Sequence, residues 1–165
     1  MNKNYFKYVA AAIAMVMIAF QFFTPSVNAA EIPIELRTVP LNEITNIVLT
    51  QKDISKGKKL FANTCANCHV GGATLTNPNV NLSPEALFGA NPVRNNVLGL
   101  VDYMKKPTTY DGVTEIYDVH PSLKSTDIFP SMRGLTDNDL KLIAGYILYE
   151  PKVKGIGWGG GKIYY

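Results

Sequence analysis

The chain has 165 residues, 47% of them hydrophobic, and carries 16 Lys and Arg against 13 Asp and Glu. That length and apolar content suit one modest domain with a packed core and exclude a disordered or low-complexity chain. The small positive excess gathers into no basic stripe, which argues against a nucleic-acid-binding role.

The first stretch departs from the average. Lys3 and Lys7 precede an apolar run from Val9 to Phe23, broken only by Gln21, and then Thr24-Pro25-Ser26-Val27-Asn28-Ala29-Ala30. A positive start, a short apolar segment and small residues ahead of a cut form the layout of a signal peptide. A membrane span takes about 20 apolar residues, so this run is short for a stable anchor. The expectation is a signal peptide over 1–29, cut after Ala29, and a mature domain over 30–165. Removing Lys3 and Lys7 lowers the basic count from 16 to 14 against 13 acids, so the basicity belongs largely to the leader. No Ser- and Arg-rich transit sequence precedes the apolar run, which points to a single export step into a periplasm or a thylakoid lumen.

Two β-prone runs follow, Arg37 to Leu41 and Ile44 to Thr50, separated by Asn42-Glu43, and they predict an N-terminal hairpin. Pro40 donates no ladder hydrogen bond, so its strand should be an edge. Thr50 and Asp53 make a capping-box-like start, and Ile54, Gly57, Phe61 and Thr64 then share one helical face. This helix leads into Cys65-Ala66-Asn67-Cys68-His69, which holds both cysteines of the chain.

Two thiols three residues apart with a His directly after them have the spacing of c-type haem attachment. Each thiol can add to a haem vinyl group, while the His presents its imidazole to the iron from the same turn. A thioredoxin-like redox pair fits less well, because a reactive thiolate is favoured at a helix N-terminus and this pair follows a helix. A disulfide across so small a loop would stabilise little. Cys65 and Cys68 are therefore the expected thioether positions for one haem c, and His69 the first axial ligand.

Ser83 to Phe88 reads as a short helix with Pro84 at its first position, and Asn96 to Lys105 as another, with Asn91-Pro92 between them. Pro107 to Pro130 has turn chemistry at Asp111-Gly112 and no sustained period, so irregular chain folded over the haem is expected there. Thr136 and Asp139 repeat the capping pattern before the strongest helix, whose stripe of Leu140, Ile143, Ala144, Ile147 and Leu148 should end before Glu150-Pro151. Gly57 and Gly145 each lose about 1 kcal/mol of helix propensity against Ala. A close backbone crossing would justify them; the plainer alternative is a solvent-facing position.

The second axial ligand has three candidates: His120, Met132 and Met104. A thioether raises the haem potential, whereas two imidazoles make a low-potential centre. His120 is the only other histidine; Met132 stands just before the last helix; Met104 has Leu100 and Val101 at helical spacing and reads as core. The residues alone leave His120 and Met132 open. In either case the protein fills both axial positions, which argues for an electron-transfer or structural haem protein and against an enzyme.

Several longer segments carry a resemblance. Thr38-Val39-Pro40-Leu41-Asn42, the pentapeptide with Val70-Gly71-Gly72, Gly99 to Gly112 (GLVDYMKKPTTYDG), His120-Pro121-Ser122-Leu123, Asp127-Ile128-Phe129-Pro130 and Trp158 to Tyr165 run through nearly the whole mature length. Together they resemble the extrinsic low-potential cytochrome c of photosystem II, the cytochrome c-550 family. The resemblance implies a mainly α, cytochrome c-like single-haem domain with an N-terminal β-hairpin, and it carries the second ligand onto His120. It further implies a peripheral subunit on the lumenal side of the thylakoid membrane, in a cyanobacterium or an algal plastid. There it would bind the reaction-centre and core-antenna subunits of photosystem II beside a small extrinsic subunit. Its part would be to stabilise the oxygen-evolving manganese-calcium site and help retain calcium and chloride. A sister paralogue departs at the second ligand, so His120 favours the main form. The competing reading is a diffusible electron carrier of periplasm or lumen. For the tail, Gly155, Gly157 and Gly159 to Gly161 with Trp158, Tyr164 and Tyr165 suggest a mobile aromatic docking arm.

Overall fold

The computed structural model describes residues 3–22 and 31–160. It divides into two units, Met1–Glu31 and Ile32–Tyr165. The first unit contains helix α1, Lys3–Phe22, which covers most of the predicted leader. Among the described residues no helix is long and apolar enough to cross a membrane. The expected cut after Ala29 lies outside the described residues.

The second unit begins with a single turn of helix, α2 (Ile34–Arg37), and the predicted hairpin. Strand β1 (Thr38–Pro40) pairs antiparallel with β2 (Asn46–Val48), Val39 opposite Ile47. The strands are shorter than the β-prone runs because Pro40 ends donation along the first. The connection is held by Asn42, whose side-chain oxygen accepts from the amides of Ile44 and Thr45 and from the Thr45 hydroxyl. Arg37 ties the hairpin to the chain around it, donating at 2.8 Å to the carbonyls of Ile32 and Leu49.

Two longer helices build the frame, α3 (Gln51–Thr64) and α7 (Asp137–Lys154). Both open with the reciprocal capping box expected of them, Thr50 with Asp53 and Thr136 with Asp139. The predicted close crossing exists at Gly57, where a Cβ would stand 2.3 Å from the carbonyl oxygen of Leu142. Any side chain there would push the helices apart. Gly145 serves another neighbour: a Cβ there would lie 3.0 Å from the Leu49 side chain, so it makes room for the hairpin's end. Lys56 on α3 reaches Asp139 on α7 at 2.8 Å, and with Thr136 it holds the Asp139 carboxyl down to about 2.

Helix α7 runs past the expected stop. Pro151 lies inside it, and the helix continues to Lys154 before Gly155 turns the chain with φ of +54°. Propensity is overridden by contacts made by the final turn. Lys152 donates to the carbonyls of Glu35 and Thr38, Lys154 pairs with Glu150 at 2.5 Å, and the Pro151 carbonyl accepts from Gly155.

Between the frame helices lie α4 (Ala66–His69), α5 (Pro84–Gly89) and α6 (Val97–Lys105). Ser83 and Asn96 cap the last two, accepting from Ala86 and Gly99. Leu100, Val101 and Met104 of α6 join Leu140, Ile143 and Ile147 of α7 in one core. Residues 107–130 are irregular, as expected, apart from an isolated bridge between Thr108 and Glu115 and a 3-10 turn at Leu123–Ser125. The architecture is mainly α with a two-stranded sheet.

Candidate haem site

The pentapeptide continues α3 round a corner. The Cys65 amide still donates to Phe61, and the Cys65 carbonyl then accepts from both Cys68 and His69, which winds α4 as a single tight turn. Both thiols are free; Cys65 is half-buried and Cys68 exposed. Burial, with a smaller push from Cys68, raises the Cys65 thiol to about 12. A thiol so reluctant to ionise is the opposite of a redox-active one, which needs a lowered value.

After His69 the chain doubles back through Gly71 and Gly72, with φ of +61° and +81°. The returning segment is fastened by Leu75 donating to the Cys68 carbonyl and Leu82 to that of Gly72. This path brings the Ala73 carbonyl and the Thr74 hydroxyl to 3.2 and 3.1 Å from His69 Nδ1. His120 Nδ1 has the Pro121 carbonyl at 2.9 Å. A carbonyl can only accept, so these partners put the proton on Nδ1 in both rings and leave each Nε2 lone pair free for a metal.

The two rings face one another with centroids 6.1 Å apart and planes at 53°. Two metal–imidazole bonds of about 2 Å, with ring radii of about 1 Å, give nearly that spacing across one shared ion. Burial lowers the proton affinity of His69. Burial first, then the facing His69, brings His120 down to about 4. Both shifts favour the neutral imidazole, the form that ligates. Among the described residues no group of three or more His, Cys, Asp and Glu could hold a metal by itself. Two lone protein ligands suit a metal whose other positions come from a macrocycle, and two thiols one turn before His69 suit its covalent attachment. The donor set therefore fits a haem.

The methionine candidates go elsewhere. Met104 and Met132 are 7% and 2% exposed and both belong to the hydrophobic core, while His120 is the residue opposite His69. Sequence reasoning overlooked Arg94 and Tyr103. The Tyr103 ring meets the His120 ring at 5.0 Å and 65°, and the buried Arg94 guanidinium lies 3.9 Å from the centre of the Tyr103 ring. A lone charged residue after Pro92-Val93 gives no pattern from which its burial could be read.

The tail also differs from expectation. Trp158 is 2% exposed, packs against Phe61 and Tyr146, and donates from Nε1 to the Leu82 carbonyl at 2.9 Å. A Cβ on Gly72 would stand 2.5 Å from its indole, and Gly159 donates to the Gly71 carbonyl. Trp158 is a core residue that pins the loop after His69, not the tip of a mobile arm. Tyr164 and Tyr165 lie outside the described residues.

Comparison with known proteins gives the family. The profile of the cytochrome c-550 domain matches residues 28–165. Photosystem II extrinsic protein V of Trichormus variabilis is 56% identical over 158 residues, 95% of this chain and 97% of that one. The protein of the same name from Cyanophora paradoxa is 52% identical, covering 99% of each. The crystal structure of cytochrome c549 superposes with a TM-score of 0.75 at 55% identity, covering 77% of this chain and 99% of that one.

Proposed function

The chain belongs to the cytochrome c-550 family, and from that premise we propose that it is an extrinsic haem subunit of photosystem II on the lumenal side of the thylakoid membrane. Family membership makes it a haem-bearing electron-transfer or structural protein rather than an enzyme. The rest of the reading concerns how this chain holds that haem and what it does for its neighbours.

Cys65 and Cys68 form the two thioethers to a single haem c, and His69 and His120 are its axial ligands. The haem, when bound, supplies one-electron chemistry between ferric and ferrous iron. His69 and His120 offer two neutral nitrogens and no thioether, which sets a low potential. The observation that carries this is the pair of half-buried imidazoles 6.1 Å apart, each with Nδ1 committed to a backbone carbonyl. The names of the close relatives support a place on photosystem II. There the subunit binds the reaction-centre and core-antenna proteins beside a small extrinsic subunit, steadies the manganese-calcium site and lowers its demand for calcium and chloride. The leader over 1–29 directs export and is removed after Ala29.

Two measurements test the reading. Purified holoprotein should keep its pigment in acidified acetone, and ferric low-temperature EPR should show a low-spin centre with two imidazoles and no Met-to-iron charge-transfer band. Loss of the pigment, or a band of that kind, would overturn the site. Rebinding to depleted photosystem II should restore oxygen evolution at low calcium and chloride; no restoration would leave only a diffusible carrier.

A further inference from the structure

Arg94 is 5% exposed, and among the described residues no carboxylate lies within ion-pair range of it. Its Nη2 donates to the Thr108 carbonyl, the Thr108 hydroxyl and the Thr109 carbonyl at 3.2, 3.1 and 2.9 Å. Its Nε is enclosed and finds no acceptor on the protein. A buried guanidinium whose Nε finds no acceptor on the protein lowers stability, so its place calls for a role. The place is specific. Tyr103 of helix α6 touches both groups: the guanidinium lies 3.9 Å from the centre of its ring, and the His120 imidazole lies 5.0 Å away and nearly edge-on.

His120 has little else to fix its tilt. It sits in irregular chain, and its one ring hydrogen bond goes to the carbonyl of the next residue, which leaves rotation about that contact to be set by whatever the ring touches. The planar fork of Arg94 can stack on Tyr103 while donating sideways to 108–109; a lysine ammonium has the charge but not the plane.

We propose that Arg94 is a positioning residue for His120, acting through Tyr103. Stacked on the phenol ring, it sets the angle of the imidazole at the haem iron, and its fixed positive charge raises the haem potential above the value that two imidazoles alone would give. This rests on His120 being an axial ligand, as argued above.

The test is ferric EPR and spectroelectrochemical titration of the holoprotein, with thermal melts as a control for folding. The wild type should give the two-imidazole low-spin spectrum. R94K and Y103L should shift its g-values, since the ring angle governs them. R94Q should shift the g-values and also lower the potential below that of R94K, because a positive charge disfavours the ferric form. Should R94Q fail to fold, R94K and Y103L still read the ring angle. Unmoved g-values in R94K and Y103L would overturn the positioning role, and equal potentials in R94K and R94Q would overturn the charge effect. A wild-type spectrum lacking the two-imidazole signature would instead overturn the ligand assignment and this inference with it.

Discussion

The two histidines of the candidate haem site are positioned by different means. His69 stands at the end of a capped helix, and the turn that aims it consists of backbone hydrogen bonds within ten residues. His120 stands in irregular chain, with the Tyr103 ring against its imidazole, Arg94 against Tyr103, and the Ser125 hydroxyl donating to its backbone carbonyl. A ligand on a local frame is as stable as the frame. A ligand held by tertiary contacts can be retuned one contact at a time without unfolding the molecule.

Lesions on the helical side should therefore lower global stability, and lesions on the loop side should act mainly on the site. The largest loss is expected from Trp158→Ala, about 3–5 kcal/mol, because a fully buried aromatic is removed from the core. Denaturant unfolding measures it, and hydrogen exchange at Leu82 should quicken as the pinned loop opens. Gly57→Ala comes next, at about 2 kcal/mol, since overpacking against the Leu142 carbonyl outweighs the gain in helix propensity. Ser122→Ala removes half of the buried Ser122–Ser125 hydroxyl pair and should cost about 1–2 kcal/mol. Its haem spectrum should change in proportion more than its melting temperature, which is the sharpest check of the contrast. Thr136→Ala, which deletes a cap on the helical side, should cost about 1 kcal/mol with the haem spectrum unchanged.

The smallest effect is one of pH. The Lys56 ammonium and Thr136 hold Asp139 down to about 2 in the folded chain, against about 3.9 for an ordinary aspartate. Its folded value is depressed, so its contribution is fully present above pH 4 and is lost as pH falls through about 2. Lys56 is half exposed, which keeps the contribution under about 1 kcal/mol. Acid titration of Asp139→Asn should lack that step.

This contrast also governs what could be read from the sequence. The caps at Thr50 and Thr136 and the hairpin are rules over a few residues, and each appears where expected. The close crossing expected from Gly57 was legible because a glycine on an apolar helix face has few other uses. The residues alone did not separate His120 from Met132; the fold sends Met132 into the core and sets His120 opposite His69. The burial of Arg94 and the passage of α7 through Pro151 depend on partners far along the chain, so no local pattern announces them. Trp158 misled for the same reason. Surrounded by glycines it resembles the end of a flexible arm, yet those glycines let it lie flat on Gly72.

That seat has a consequence for the order in which the molecule is assembled. Trp158 follows Gly72 by 86 residues, so the wall it forms beneath the loop after His69 is missing until nearly everything between has been synthesised and folded. Such a non-local closure comes late in folding. The loop after His69 therefore stays unlatched until the far end of the chain is in place, and the indole arrives last to shut the door.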